Sequence, residues 1–181
     1  MGGTGRSAER YFFAVWPDDA VRERLAAWSD AIRTRPPARR VAAGNLHITL
    51  AFVGTLEPEG VDAVREAASA IRWQGATLRL DRIGWWKRSD IIWAGSSEGP
   101  ASLAALAGEL RARLQRLGFR MDSRPFVPHV TLYRNARRRP RWQRQVIEWR
   151  IDEFLLVKST LSPEGPRYDR VDHWCAPGDV E

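Results

Sequence analysis

The chain has 181 residues, enough for one globular domain or two small lobes sharing an interface, and 44% of them are hydrophobic. No apolar run approaches the roughly 20 residues of a membrane helix, the Gly-rich start lacks the apolar centre of a secretory signal, and the single Cys175 excludes an internal disulfide or a CxxC metal knuckle, so a cytoplasmic protein is expected. The net charge is +7 and the cationic charge is almost wholly arginine, only Lys87 and Lys158 being lysine; guanidinium forks match phosphate oxygens, so the charge suits a polyanion such as RNA, although a solvated surface would carry it equally.

In chain order, residues 1–9 read as a disordered N-terminal extension and 10–181 as a single bilobal domain; the early "GGTG" has no GK[ST] continuation and is no phosphate loop. "RYFFAVW", Arg10 to Trp16, is aromatic and β-branched enough for a strand. Val21, Leu25, Trp28 and Ile32 then recur at helical spacing, predicting a helix over 18–33. "RPPARRVAAGN" is a loop, and "LHITLAFVG", Leu46 to Gly54, is the next strand. Residues 58–71 read as a helix through Val61, Val64, Ala68 and Ile71, and "ATLRLDRIGWW" alternates like one half-buried strand.

"SDIIWAGSS" opens a second unit. Pro100 suits a first helical turn, Leu103, Leu106, Leu110, Leu114 and Leu117 form the apolar stripe, and Gly118 is the expected stop. "RPFVPHVTLYR" follows as a strand, so the order strand, helix, loop, His-strand occurs twice, an internal duplication of architecture. "NARRRPRWQRQ" is a basic loop whose Arg137, Arg138, Arg139, Arg141 and Arg144 suit an RNA backbone, with a solvated loop as the competing account. "WRIDEFLLVKSTL" and "YDRVDHWC" read as the last two strands. The whole predicts an α+β fold with helices outside antiparallel sheets.

Both His-strands carry H-x-T-L. Strand alternation puts His47, Thr49 and Ala51 on one face, and His129, Thr131 and Tyr133 on one face of the other strand. If the duplication brings those faces together, two imidazoles converge. One ring then accepts a proton while the other donates, and threonine hydroxyls with a nearby arginine hold an oxyanion, which suits phosphodiester hydrolysis without a metal. Spacing alone leaves open which histidine is the acid. His173 has no threonine partner and reads as structural.

"NLHITLAFVG" and "RPFVPHVTLYR" resemble the paired HxTx motifs of the two-histidine phosphoesterase superfamily, and more narrowly the RNA 2′,3′-cyclic phosphodiesterases, or 2′-5′ RNA ligases. "RYFFAVWPDD", "GWWKRSDIIWAG" and "RYDRVDHW" extend the likeness over nearly the whole chain. The resemblance implies two pseudo-symmetric lobes of antiparallel sheet with flanking helices around a central cleft. It also implies opening of RNA 2′,3′-cyclic phosphate ends to 2′-phosphomonoesters, with reversible 2′-5′ joining as a related activity. His47 would be the proton donor and His129 the acceptor, with Thr49, Thr131 and Arg134 on the phosphate. Strict alternation points Arg134 away from His129, so it reaches the site only if the strand ends or bulges there. Tyr133, Trp86 and Arg88 are candidate base or RNA contacts. No cofactor is expected; the partner is RNA with cyclic phosphate ends, tRNA fragments among the candidates, with no membrane partner, and the protein is expected to be a monomer. Two alternatives stay open: a non-catalytic RNA- or nucleotide-binding module, and a phosphodiesterase for another cyclic phosphate such as an ADP-ribose derivative.

Overall fold

The computed structural model describes residues 9–162 and 165–177. The expected disordered extension lies outside them except for Glu9, whose carboxylate accepts from Lys158 at 3.1 Å, and so does "GGTG". Among the described residues no helix is long and apolar enough to cross a membrane.

Among the described residues ten strands form two four-stranded antiparallel sheets and a two-stranded ribbon, accompanied by three α-helices. In the first sheet β1 (Arg10–Val15) is flanked by β3 (Ile48–Gly54) and by β9 (Glu153–Ser162), with β10 (Gly165–Cys175) at the edge beyond β9. In the second, β6 (Ile91–Gly95) is flanked by β5 (Arg82–Trp86) and β7 (His129–Arg134), and β2 (Arg39–Arg40) adds an edge inside what the sequence presents as a loop. The duplication is thus literal: β1 and β6 open the two units, and each pairs antiparallel with its own His-strand, β3 or β7.

The ribbon joins β4 (Ala76–Leu80) to β8 (Ile147–Ile151) and corrects two sequence expectations. "ATLRLDRIGWW" is two strands, because Asp81 turns inward, its carboxylate accepting from the Ser97 amide (2.8 Å), the Ser97 hydroxyl (2.6 Å) and Arg79 (3.0 Å). "WRIDEFLLVKSTL" also divides, at Asp152, whose carbonyl accepts from the Ala176 amide at 2.7 Å. In each case an aspartate, poorly suited to a pleated ladder, is where the chain changes sheets.

The helices follow their apolar stripes. Asp18 caps α1 (Asp19–Asp30), its carboxylate accepting from the Val21 amide at 2.7 Å, while Val21, Leu25 and Trp28 are buried. In α2 (Pro58–Ser69) Pro58 occupies the first turn, and Val64 and Ala68 face the core. α3 (Ala101–Arg116) buries Leu103, Leu106, Leu110 and Leu114, each full burial contributing roughly 1.5–3 kcal/mol. Leu117 falls outside it, as the exposed capping residue before Gly118 at φ 90°. α3 packs on β3 and β3 lies against β7, so one core runs through both sheets and the two His-strands touch.

Candidate active site

Both His-strands bulge at the same place. In β3 the register passes from Ala14↔Thr49 to Phe13↔Ala51, skipping Leu50; in β7 it passes from Trp93↔Thr131 to Ile92↔Tyr133, skipping Leu132. The skipped residue is the leucine of H-x-T-L in both, and it is buried in both. An extra residue inverts the parity beyond it. The fourth residue after each histidine, Ala51 or Tyr133, therefore turns into the core, and the fifth, Phe52 or Arg134, turns onto the face of the histidine and threonine. Left-handed residues close both strands, Gly54 at φ 99° and Asn135 at φ 57°.

This bulge corrects the expectation for Tyr133. Its ring is only 8% exposed and its hydroxyl donates to the Ser29 carbonyl at 3.1 Å, so it packs the core instead of offering a stacking face. Phe52, which strict alternation would turn away from His47, is 70% exposed beside Phe12, with ring centroids 6.0 Å apart. Arg134 is exposed, and its charge reaches His47, His129 and Tyr168. Thr49 and Thr131 are half-buried, one residue short of each bulge.

The two imidazoles are held alike. His47 Nδ1 lies 2.8 Å from the Asn45 carbonyl oxygen, and His129 Nδ1 lies 2.7 Å from that of Val127, in each case two residues back. A carbonyl oxygen only accepts, so Nδ1 carries the proton in both rings. Nε2 is left as the free, basic nitrogen of each neutral imidazole. Their surroundings differ. Trp16 stacks on His47 at 4.5 Å and 14°, anchored by its indole N–H to the Gly44 carbonyl, with Tyr168 edge-on at 5.3 Å. His129 meets Trp86 edge-on at 4.5 Å and Trp93 at 6.5 Å.

Burial lowers the pKa of His47 from 6.5 to about 4, the positive charges of Arg134 and His129 adding to it; burial and Arg134 lower His129 as well. Both rings are neutral near pH 7 in the free protein. Between pH 6.5 and 4 the unfolded chain binds a proton that folded His47 does not, so stability present above pH 6.5 is lost as pH falls toward 4. The loss is roughly 3 kcal/mol for this residue. Thermal denaturation of the ligand-free protein should show it, with a smaller decline over that window in His47→Gln.

Trp93 escapes a reading of motifs, yet it props His129. A methyl on its cross-strand partner Gly84 would meet Trp93 ring carbons at 2.0, 2.2 and 2.6 Å, and one on Gly95 would meet another at 2.6 Å, so the indole lies flat on two bare glycines. The signal available in the sequence was glycine inside strands, which marks close approach. Gly84→Ala displaces the indole: it should cost about 1–3 kcal/mol in urea denaturation and shift the His129 imidazole resonances in NMR spectra.

Among the other sequence candidates, Trp86 borders His129, whereas Arg88 projects from the turn between β5 and β6. Arg137, Arg138 and Arg139 are exposed just past β7, and Arg139 sits over the Trp142 ring at 6.0 Å. His173 is exposed on β10, outside the core and away from both H-x-T-L strands in the sheet order.

The model of the 2′-5′ RNA ligase superfamily matches residues 17–162. The chain is 36% identical over 168 residues to an RNA 2′,3′-cyclic phosphodiesterase of Escherichia coli K12, spanning 92% of this chain and 96% of that protein. It superposes on a phosphoesterase crystal structure with a TM-score of 0.86 at 35% identity, covering 93% of this chain and 98% of the other. E. coli LigT complexed with 3′-AMP gives a TM-score of 0.83 at 34% identity, covering 93% and 98%.

Proposed function

This chain belongs to the 2′-5′ RNA ligase superfamily, and on that footing we propose that residues 10–181 act as one phosphodiesterase domain, opening RNA 2′,3′-cyclic phosphate ends to 2′-phosphomonoesters. The observation that carries the reading is the pair of half-buried histidines, each fixed through Nδ1 by a carbonyl of its own chain segment, leaving Nε2 free. Similarity to proteins named RNA 2′,3′-cyclic phosphodiesterase supports the substrate.

In the proposed reaction His129 Nε2 takes a proton from water as its oxygen bonds to phosphorus. The P–O3′ bond breaks, and the Nε2–H of protonated His47 gives its proton to O3′. The products are a 2′-phosphomonoester and a free 3′-hydroxyl. With an RNA 5′-hydroxyl in place of water the same transfers join the ends 2′-5′, and run backwards they cleave that linkage. Thr49 and Thr131 donate to the non-bridging oxygens, and Arg134 balances their charge. Bulge-exposed Phe52 and Tyr168, each packed on Phe12, offer faces for the terminal base, and the arginines of 137–144 follow the backbone beyond it.

A lowered pKa would leave His47 without its proton at pH 7. The bound phosphodiester answers this: its negative charge opposes that of Arg134 and raises both imidazoles, so one proton enters with the substrate. Two imidazoles and one arginine then suffice without a metal. Turnover of a 2′,3′-cyclic nucleotide should persist in excess EDTA. Activity that disappears in EDTA and returns with an added divalent ion overturns metal independence, and absence of turnover under all conditions, despite tight binding, would select a binding module.

A further inference from the structure

We propose that β9 and β10 carry a second, separate site: Glu153, His173 and Cys175 bind one divalent transition-metal ion of the zinc class. One ligand atom from each of these side chains lies within 4.8 Å of those of the other two. They belong to one antiparallel pair, in which Cys175 faces Glu153 and His173 faces Leu155, so the three share one face of the sheet. The intervening residues confirm that parity: Trp174 stacks on Phe154 at 5.1 Å and donates to Ser69 of α2, while Asp172 accepts from Arg65 of the same helix. His173 and Cys175 consequently point to the open side.

The chemistry of the set is selective. Thiolate, imidazole and carboxylate together suit zinc and its neighbours in the transition series rather than magnesium or calcium, which prefer oxygen alone. Bonds of about 2.0–2.3 Å at tetrahedral angles put ligand atoms about 3.3–3.6 Å apart, so closure of about 1 Å completes the geometry. Both β10 side chains are exposed and free to make that movement. The backbone beneath is anchored, because the Ala176 amide closes the end of the ladder on the Asp152 carbonyl. The competing partner is Arg170, whose contact with Glu153 is long, 3.7 Å, and largely exposed. Three protein ligands leave the fourth position to water, and a concavity of about 160 Å³ lined in part by Arg170 and His173 adjoins it.

The site stands apart from the proposed reaction and does not rest on it. Along one row of the sheet Thr49 pairs with Ala14, Ala14 with Leu155, and Leu155 with His173. Three strand spacings separate the threonine from the ligand, on the order of 14 Å, too far for the ion to touch a phosphorus held at the H-x-T-L strands.

The test uses the full chain, reduced and stripped of metal, titrated with Zn²⁺ by calorimetry and with Co²⁺ by visible absorption. One equivalent should bind with micromolar affinity, Co²⁺ should show a thiolate-to-metal charge-transfer band, and millimolar Mg²⁺ should not compete. Cys175→Ser should abolish that band, and Cys175→Ser, His173→Gln and Glu153→Gln should each weaken Zn²⁺ by about tenfold or more. The double variant His47→Ala/His129→Ala should bind as the parent does. Unchanged affinity in Cys175→Ser overturns the proposal, as does binding lost in the double variant, which would assign the ion to the catalytic pair instead.

Discussion

Replacing His47 or His129 by alanine should lower kcat on a 2′,3′-cyclic nucleotide by about 10²–10⁴-fold, and the double variant should fall little further than the worse single one. The expectation follows from the proposed mechanism, in which the two rings act on one phosphorus in a single displacement. Removing either leaves the other with no complementary transfer, so the costs do not add. The variants also separate the roles. A substrate whose leaving oxygen departs without a proton restores His47→Ala but not His129→Ala if His47 is the acid, and the reverse pattern exchanges the assignments. A loss confined to KM in both variants would remove acid–base chemistry from these residues altogether.

Much of this arrangement is readable before any coordinates. The H-x-T-L repeat, the helical stripes of α1 and α3 and the recurrence of strand, helix and His-strand are local patterns, and local patterns survive folding because burial of one face enforces them. What the sequence conceals is register. The leucine of H-x-T-L is a good residue for a regular strand and equally good for a bulge, so strict alternation keeps Tyr133 outside and Arg134 inside, the inverse of what β7 adopts. Asp81, an acidic residue within an alternating run, was the available sign that one strand is two. The contacts of Trp16, stacked, and Tyr168, edge-on, with His47 depend on β1, β9 and β10 lying side by side, and the β1–β9 pairing joins residues about 150 positions apart that no local window contains.

Arg134 tests that register directly. In Arg134→Gln kcat/KM should fall by about 10–100-fold, the scale of one charge-assisted hydrogen bond to a phosphate. A second consequence sets this loss apart from a merely structural one. The guanidinium lowers the pKa of both His47 and His129, so its removal lets both rise. The acid limb of the pH profile of kcat/KM, where the base becomes protonated, and the alkaline limb, where the acid loses its proton, should therefore both move to higher pH. Arg88→Gln, at the exposed turn between β5 and β6, should leave both limbs in place. If Arg134→Gln loses activity with an unmoved profile, the arginine acts by packing or on a distant part of the RNA. The bulge at Leu132 would then have some purpose other than turning a positive charge toward the two imidazoles.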